Sequence, residues 1–311
     1  MMLSHAGRPD GRFLNLLNFN IMADDYLEKA LSRIPSLTGK DKKDKGPFQP
    51  RFPETAKFES GILRTKSDPN AVGGISSGKQ DVGRRSYGTY QIRSQEIANF
   101  VRGLPDTAPY KKLKSLVTDQ KDQTDAFNAE HKKVAAERNK EYGTLQEDFR
   151  IATGSGAQKR VVSNLGIQKL SRYPDRFIDY IFGFVNQYGA TLAPKAAVTM
   201  GKDLRVLAEQ KGEPISMNEI VNTMSDYRVK NAHINFAKIR KKFGDKPIQN
   251  LRKRFENERK SFSDPKEDFT PTVQEDRSPL RGVDASQTGG QKPHAEMPFK
   301  NMIRSLGEHV R

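Results

Sequence analysis

Two acidic residues carry the chemistry this sequence could do. Glu59 ends a short stretch that Pro53 opens and Gly61 closes, a proline-first, glycine-last pattern that predicts one or two helical turns. A carboxyl placed there faces unpaired carbonyls and the negative end of the helix dipole, so its ionised form is disfavoured. With Phe58 or Tyr87 restricting water, Glu59 would hold a proton near neutral pH, as a general acid must. Asp81 follows in a segment over 61–90 rich in Gly, Ser, Asp and Asn, and such a loop can bring it across from Glu59. Two carboxyls facing each other over a sugar-sized gap equip a site for glycoside hydrolysis, one protonating the leaving oxygen and the other activating water or stabilising positive charge. The competing reading is bland: Glu59 merely closes a helix in solvent, and Asp81 is a turn residue.

The residues around this pair carry a resemblance. Glu59-Ser60, then Pro69, Ala71 and Ser76, then Tyr87-Gly88-Thr89-Tyr90-Gln91-Ile92 resemble the signature of lytic transglycosylases and goose-type lysozymes. The longer set Phe58-Glu59-Ser60-Gly61, Ile75-Ser76-Ser77-Gly78-Lys79 with Asp81, and Ser86-Tyr87-Gly88 with Tyr90-Gln91 is similar to lysozyme-like peptidoglycan hydrolase domains of bacteriophage virion proteins and related secreted effectors, themselves distantly chitosanase-like. Over 52–262 the resemblance implies a helical body with Glu59 as catalytic acid and Asp81 as second carboxylate. Tyr87 and Gln91 would line the sugar cleft, Ser60 and Ser76 would support the loop, and neither metal nor cofactor is implied. Val82-Gly83-Arg84-Arg85 departs from the Pro-Gly-Gly expected there.

Other chemistries find little support. The chain has no cysteine, which excludes disulfides, a thiol nucleophile and cysteine zinc sites. Its histidines, His5, His131, His233, His294 and His309, never fall at the spacing of a helical metal pair. Gly73 to Gln80 nearly spells a phosphate-cradling loop, but Gln80 stands where the magnesium-binding hydroxyl belongs and no strand precedes it. The net charge of +16 and a pI near 9.8 point to a polyanionic setting such as nucleic acid or an acidic envelope. Lys111-Lys112-Leu113-Lys114, Arg240-Lys241-Lys242 and Arg252-Lys253-Arg254 could face phosphates, although charge runs are usually solvated helix surfaces.

These residues need a scaffold, and the periodicity supplies a mainly α one. Apolar positions repeat at helical spacing over 91–104, 125–153, 173–188, 216–228 and 246–261; the third, apolar nearly all round, must be buried. Gly154 to Arg160 reads as a loop, and Arg228 with Glu256 as a structural ion pair. The division predicted is 1–51 as N-terminal arm and linker, including an amphipathic helix over 24–35, then 52–262 as a lysozyme-like catalytic domain with a small β/loop wing. Residues 263–311 form a Pro/Ser-rich flexible tail with a short terminal helix. No apolar run is long enough to span a bilayer, and no export signal is evident. The function expected is therefore cleavage of peptidoglycan glycan strands by a phage virion component or delivered effector acting at the cell wall, in contact with other virion proteins and non-specifically with DNA. The alternative is a non-catalytic virion or DNA-ejection protein with a degenerate muramidase fold.

Overall fold

A computed structural model of the chain describes residues 46–60, 71–76, 85–120, 122–168 and 170–271. Asp81 and the amphipathic segment 24–35 lie outside them, as does the tail beyond 271; Ser60 is described in its backbone alone. The architecture is mainly α, as the periodicity predicts. Its helices are α1 (Pro53–Ser60), α2 (Ser94–Gly103), α3 (Ala108–Leu116), α4 (Asp125–Glu137), α5 (Asn139–Asn164), α6 (Asp175–Lys211), α7 (Met217–Asn235), α8 (Ala237–Phe243) and α9 (Lys246–Phe262).

The wing is small. Strands β1 (Ser86–Tyr87) and β2 (Ile92–Arg93) pair antiparallel with Tyr87 opposite Ile92, and Ile75 bridges to Tyr87 from the other side. The turn between the strands uses positive φ at Gly88 and at Gln91, so the helix expected from residue 91 begins only at Ser94.

Helix α6 is the centre of the body. Its first half buries Phe177, Ile178, Ile181, Phe182, Phe184 and Val185, the all-round apolar run read from sequence. Gly189, at φ 75°, interrupts it, yet Ala193, Ala196, Ala197, Met200 and Leu204 continue a buried stripe beyond. That stripe packs on α5 and carries the helix to Lys211, well past the predicted end at 188. The stretch 125–153 is two helices, meeting at Arg138 (φ −131°, ψ 40°). Gly154 to Arg160, expected as a loop, lies inside α5, where Ala157 and Gln158 are buried and Gly154 faces Val185 of α6 at ordinary packing distance. Ser216 and Glu219 form the predicted capping box at the start of α7.

One apolar cluster joins Phe48 to Phe262 across all of these elements except α8. Residues 263–271, assigned to the tail on composition, are held: Met217 N–H donates to the Phe269 carbonyl at 2.7 Å, and Asn218 N–H donates to Asp268 at 3.0 Å. Among the described residues no helix is long and apolar enough to cross a membrane.

Candidate active site

The site is built on α1, whose start is tied to α6. Asp179 accepts from the main-chain N–H of Glu54 at 2.9 Å and of Thr55 at 3.0 Å, supplying from a distant helix the cap that α1 lacks in its own sequence. Burial pushes the Asp179 carboxyl up to about 7, against the pull of Thr55 and the two amides. Phe52 stacks on Phe182 with ring centroids 4.1 Å apart. Gly183 completes the approach, since a Cβ there would come within 2.5 Å of the Thr55 hydroxyl. Thus α1 packs on α6 around Asp179 and Gly183.

The Glu59 side chain is 10% exposed and meets a guanidinium: its Oε1 accepts from Arg254 Nη2 at 2.5 Å. The contact opens a chain of alternating charges. Arg254 Nε donates to Glu258 Oε1 at 2.7 Å, Glu258 Oε2 pairs with Arg228 Nη2 at 2.6 Å, and Arg228 also donates to Gln187 Oε1. Arg228 is fully buried, 4.2 Å from the Phe255 ring centroid and 5.8 Å from those of Tyr180, Phe184 and Tyr188. Burial alone would lower its pKa, but Glu258, Tyr180 and Tyr188 more than offset this and hold it raised. The ion pair predicted between Arg228 and Glu256 is therefore made by Glu258. Phe255 and Glu258, three apart, share the inner face of α9, whereas Glu256 is exposed.

A cleft of about 100 Å³ opens between α2, α5 and α6. Its walls include Arg93 and Glu96 at the start of α2, Arg150 and Gln158 of α5, and Phe182 and Asn186 of α6. Arg150 Nη1 bonds Glu96 Oε2 at 2.9 Å. Burial draws the Arg150 pKa down, opposed by the charges of Glu96 and Glu59; one buried guanidinium thus feels a carboxylate from each of α1 and α2.

The other residues singled out from sequence are not gathered here. Tyr87 is buried in the core, its hydroxyl donating to Asn128 Oδ1 at 3.1 Å and its ring edge-on to Phe127 and His131 of α4. The apolar neighbour expected to dry Glu59 is thus occupied elsewhere. Ser76 Oγ accepts from the Ser86 N–H at 2.8 Å, pinning the wing, and Gln91 Nε2 donates to the Gly88 carbonyl at 3.2 Å within its own turn. Sequence reasoning missed Arg150, Glu96 and Glu258; the i, i+4 spacing of Arg254 and Glu258 was the one local signal for the rail. The basic clusters largely resolve into local partners: Lys112 with Glu130 at 2.7 Å, Arg240 with Asp245 at 2.6 Å, and Arg254 with the rail.

Fold and site together define a helical domain with a buried arginine–carboxylate chain ending on one acid, Glu59. Residues 61–259, well over half of the chain, match the C-terminal family of type VI secretion system spike proteins of the VgrG3-like kind, and the chain belongs to that family. The match begins just after Glu59 and takes in Glu96, Arg150, Arg228, Arg254 and Glu258. No curated protein matches the chain. Family membership corrects two expectations. The assignment to phage virion muramidases and lytic transglycosylases, read from a local motif over 58–92, gives way to a secretion-spike family, and with it the placement in a phage particle. The physical reason is that such a motif describes a helix end and a hairpin, and neither encodes the assembly that carries them.

Proposed function

We propose that the chain is a glycan-cleaving effector domain of a type VI secretion spike, breaking the β-1,4 bond between amino sugars of peptidoglycan with Glu59 as proton donor. The observation that carries this is the position of Glu59: on the last turn of a helix clamped at its other end, almost buried, gripped by Arg254 and close enough to Arg150, in the wall of the neighbouring cleft, for its charge to be felt there. The proton goes from Glu59 to the glycosidic oxygen as the bond to the anomeric carbon breaks. Arg254 fixes the direction of the carboxyl, and its charge is there to receive the carboxylate that forms once the proton has left. The strong positive charge of the whole chain suits an anionic envelope.

The test is digestion of purified sacculi by the wild type and by Glu59→Gln, with mass spectrometry of the released muropeptides. The reading requires soluble fragments from the wild type and a fall of at least about a hundredfold for the variant. Equal rates would remove Glu59 from the chemistry. Anhydro ends on the fragments would assign a transglycosylase outcome, and reducing ends hydrolysis.

A further inference from the structure

The cleft between α2, α5 and α6 is too small for a whole ligand and well equipped to hold part of one. Its volume of about 100 Å³ is below the ~300 Å³ at which pockets begin to enclose a complete small molecule. What enters is therefore a side group of something larger. Gln158 lines the cleft, is 5% exposed, and its side chain makes no hydrogen bond among the described residues. A buried amide is seldom left without a partner. Arg150 lines the cleft too, with a side chain 10% exposed. Its Nη1 donates to Glu96 at 2.9 Å, and its Nε finds no acceptor among the described residues.

Charge decides what that group is. The lining residues bring two guanidiniums, Arg93 and Arg150, against one carboxylate, Glu96. Glu96 is committed, since its Oε2 accepts from Arg150 Nη1 at 2.9 Å and from the Arg93 N–H at 3.4 Å. Glu59, whose charge also reaches Arg150, is answered by Arg254. The two guanidiniums repel each other, and the carboxylates present do not make up for the burial of Arg150, whose pKa stays lowered. The α6 side adds to the surplus. Gly189 breaks α6, and Gly189 and Ala190, where the helix restarts, line the cleft. Pro194, with no N–H to give, suits the first turn of the restarted helix, and the start of a helix favours an anion. A surplus close to one positive charge suits a monoanion, whereas a doubly charged phosphate would meet Glu96 with its excess.

We infer that this cleft is a carboxylate-binding subsite, in which Arg150 and Gln158 receive an acidic group attached to the substrate and the exposed Arg93 adds its charge. One carboxylate oxygen accepts from the Arg150 guanidinium and the other from the Gln158 amide, so each of the two underused side chains gains a partner. Resting on the glycosidase reading above, the group is a free carboxyl of the peptides that peptidoglycan strands carry. The protein then prefers acidic, peptide-bearing glycan to neutral glycan, and the preference is set in binding and not in the bond-breaking step.

The experiment gives the full chain sacculi in two forms, native and with the free carboxyls converted to amides by carbodiimide and ammonia. For the wild type, amidation should raise KM about tenfold and leave kcat nearly unchanged. Arg150→Met should start at the higher KM on native sacculi and ignore amidation, while Arg150→Lys should recover part of the preference. Should Arg150→Met not fold, Gln158→Leu, of nearly the same size as the wild-type residue, gives the same reading. Calorimetric titration with the free acidic stem peptide, its amide and inorganic phosphate needs no cleavage. The peptide acid should bind the wild type and lose at least about tenfold in affinity on amidation and in either variant. Equal KM for the two forms of sacculi overturns the inference, as does a folded Arg150→Met or Gln158→Leu protein that keeps the full preference, or phosphate bound more tightly than the peptide acid. A wild type that leaves both forms intact removes the glycosidase reading, and the titration then decides the cleft alone: peptide binding that Arg150→Met or Gln158→Leu abolishes keeps it as a carboxylate site, and no binding overturns it.

Discussion

Two networks of the same ingredients sit in this molecule and do different things. In one, Arg51 bonds Glu147 at 2.5 Å and also Asp148, the Arg51 N–H donates to Glu147 at 2.9 Å, and Tyr90 donates to Glu147 as well. The bonds converge on Glu147, which is 1% exposed. It ties the segment entering α1 to the middle of α5. In the other, Arg228, Glu258 and Arg254 pass the same alternation of charge on until it ends on Glu59. Burial of paired charges is therefore no sign of a site in itself. What distinguishes the second network is that the charge of its last member, on the final turn of α1, is felt by Arg150 in the wall of a cleft.

The sharpest break of this comparison is in turnover. Glu59→Gln should lose at least about a hundredfold in glycan cleavage while its melting temperature stays close to that of the wild type, measured by digestion and calorimetry on the same sample. Next come the two interior carboxylates. Glu258→Gln takes the carboxylate from the fully buried Arg228 and should cost about 3–5 kcal/mol in urea unfolding, whereas Glu147→Gln should cost less, because Arg51 is 23% exposed and also bonds Asp148. Among molecules that remain folded, however, only Glu258→Gln should also cleave slowly, because only there is the grip on Glu59 loosened. Similar specific activities for the two variants would erase the distinction between the networks.

A pH experiment probes the other end of α1. Burial raises the Asp179 carboxyl to about 7 in the folded protein, whereas the unfolded chain loses that proton near an ordinary aspartate value of about 4. Between these limits the folded state binds more protons, so stability falls as pH rises from about 4 to about 7. Asp179→Asn, which cannot ionise, should lack that decline, and the difference between the two urea midpoints followed across the window checks it. The smallest effect belongs to Tyr87→Phe. Removing the hydroxyl that bonds Asn128 should cost about 1 kcal/mol and leave cleavage unchanged; a selective rise in KM would instead return Tyr87 to the cleft.

Much of the scaffold was legible because it is written in short-range patterns. The apolar circumference of 177–185, the Ser216 box and the Pro53 start each depend on neighbours within a turn or two. The site was legible only at Glu59. Its guanidinium partner lies 195 residues away, and the choice of Glu258 over Glu256 follows from which face of α9 meets α7, which periodicity alone did not settle. Glu96 reads as an ordinary first-turn acid until Arg150 is placed beside it. Tyr87 misled for a related reason: a tyrosine in a turn motif suits a sugar platform and a core equally, and the partner on α4 decides.

On the glycosidase reading proposed above, that 195-residue separation also bears on when the activity can appear. A nascent or partly threaded chain already contains the reactive acid, but nothing aims it until the polypeptide has folded through to its last long helix. Correct completion of the tertiary structure is thus the safety catch, and an incompletely folded molecule carries the warhead unarmed.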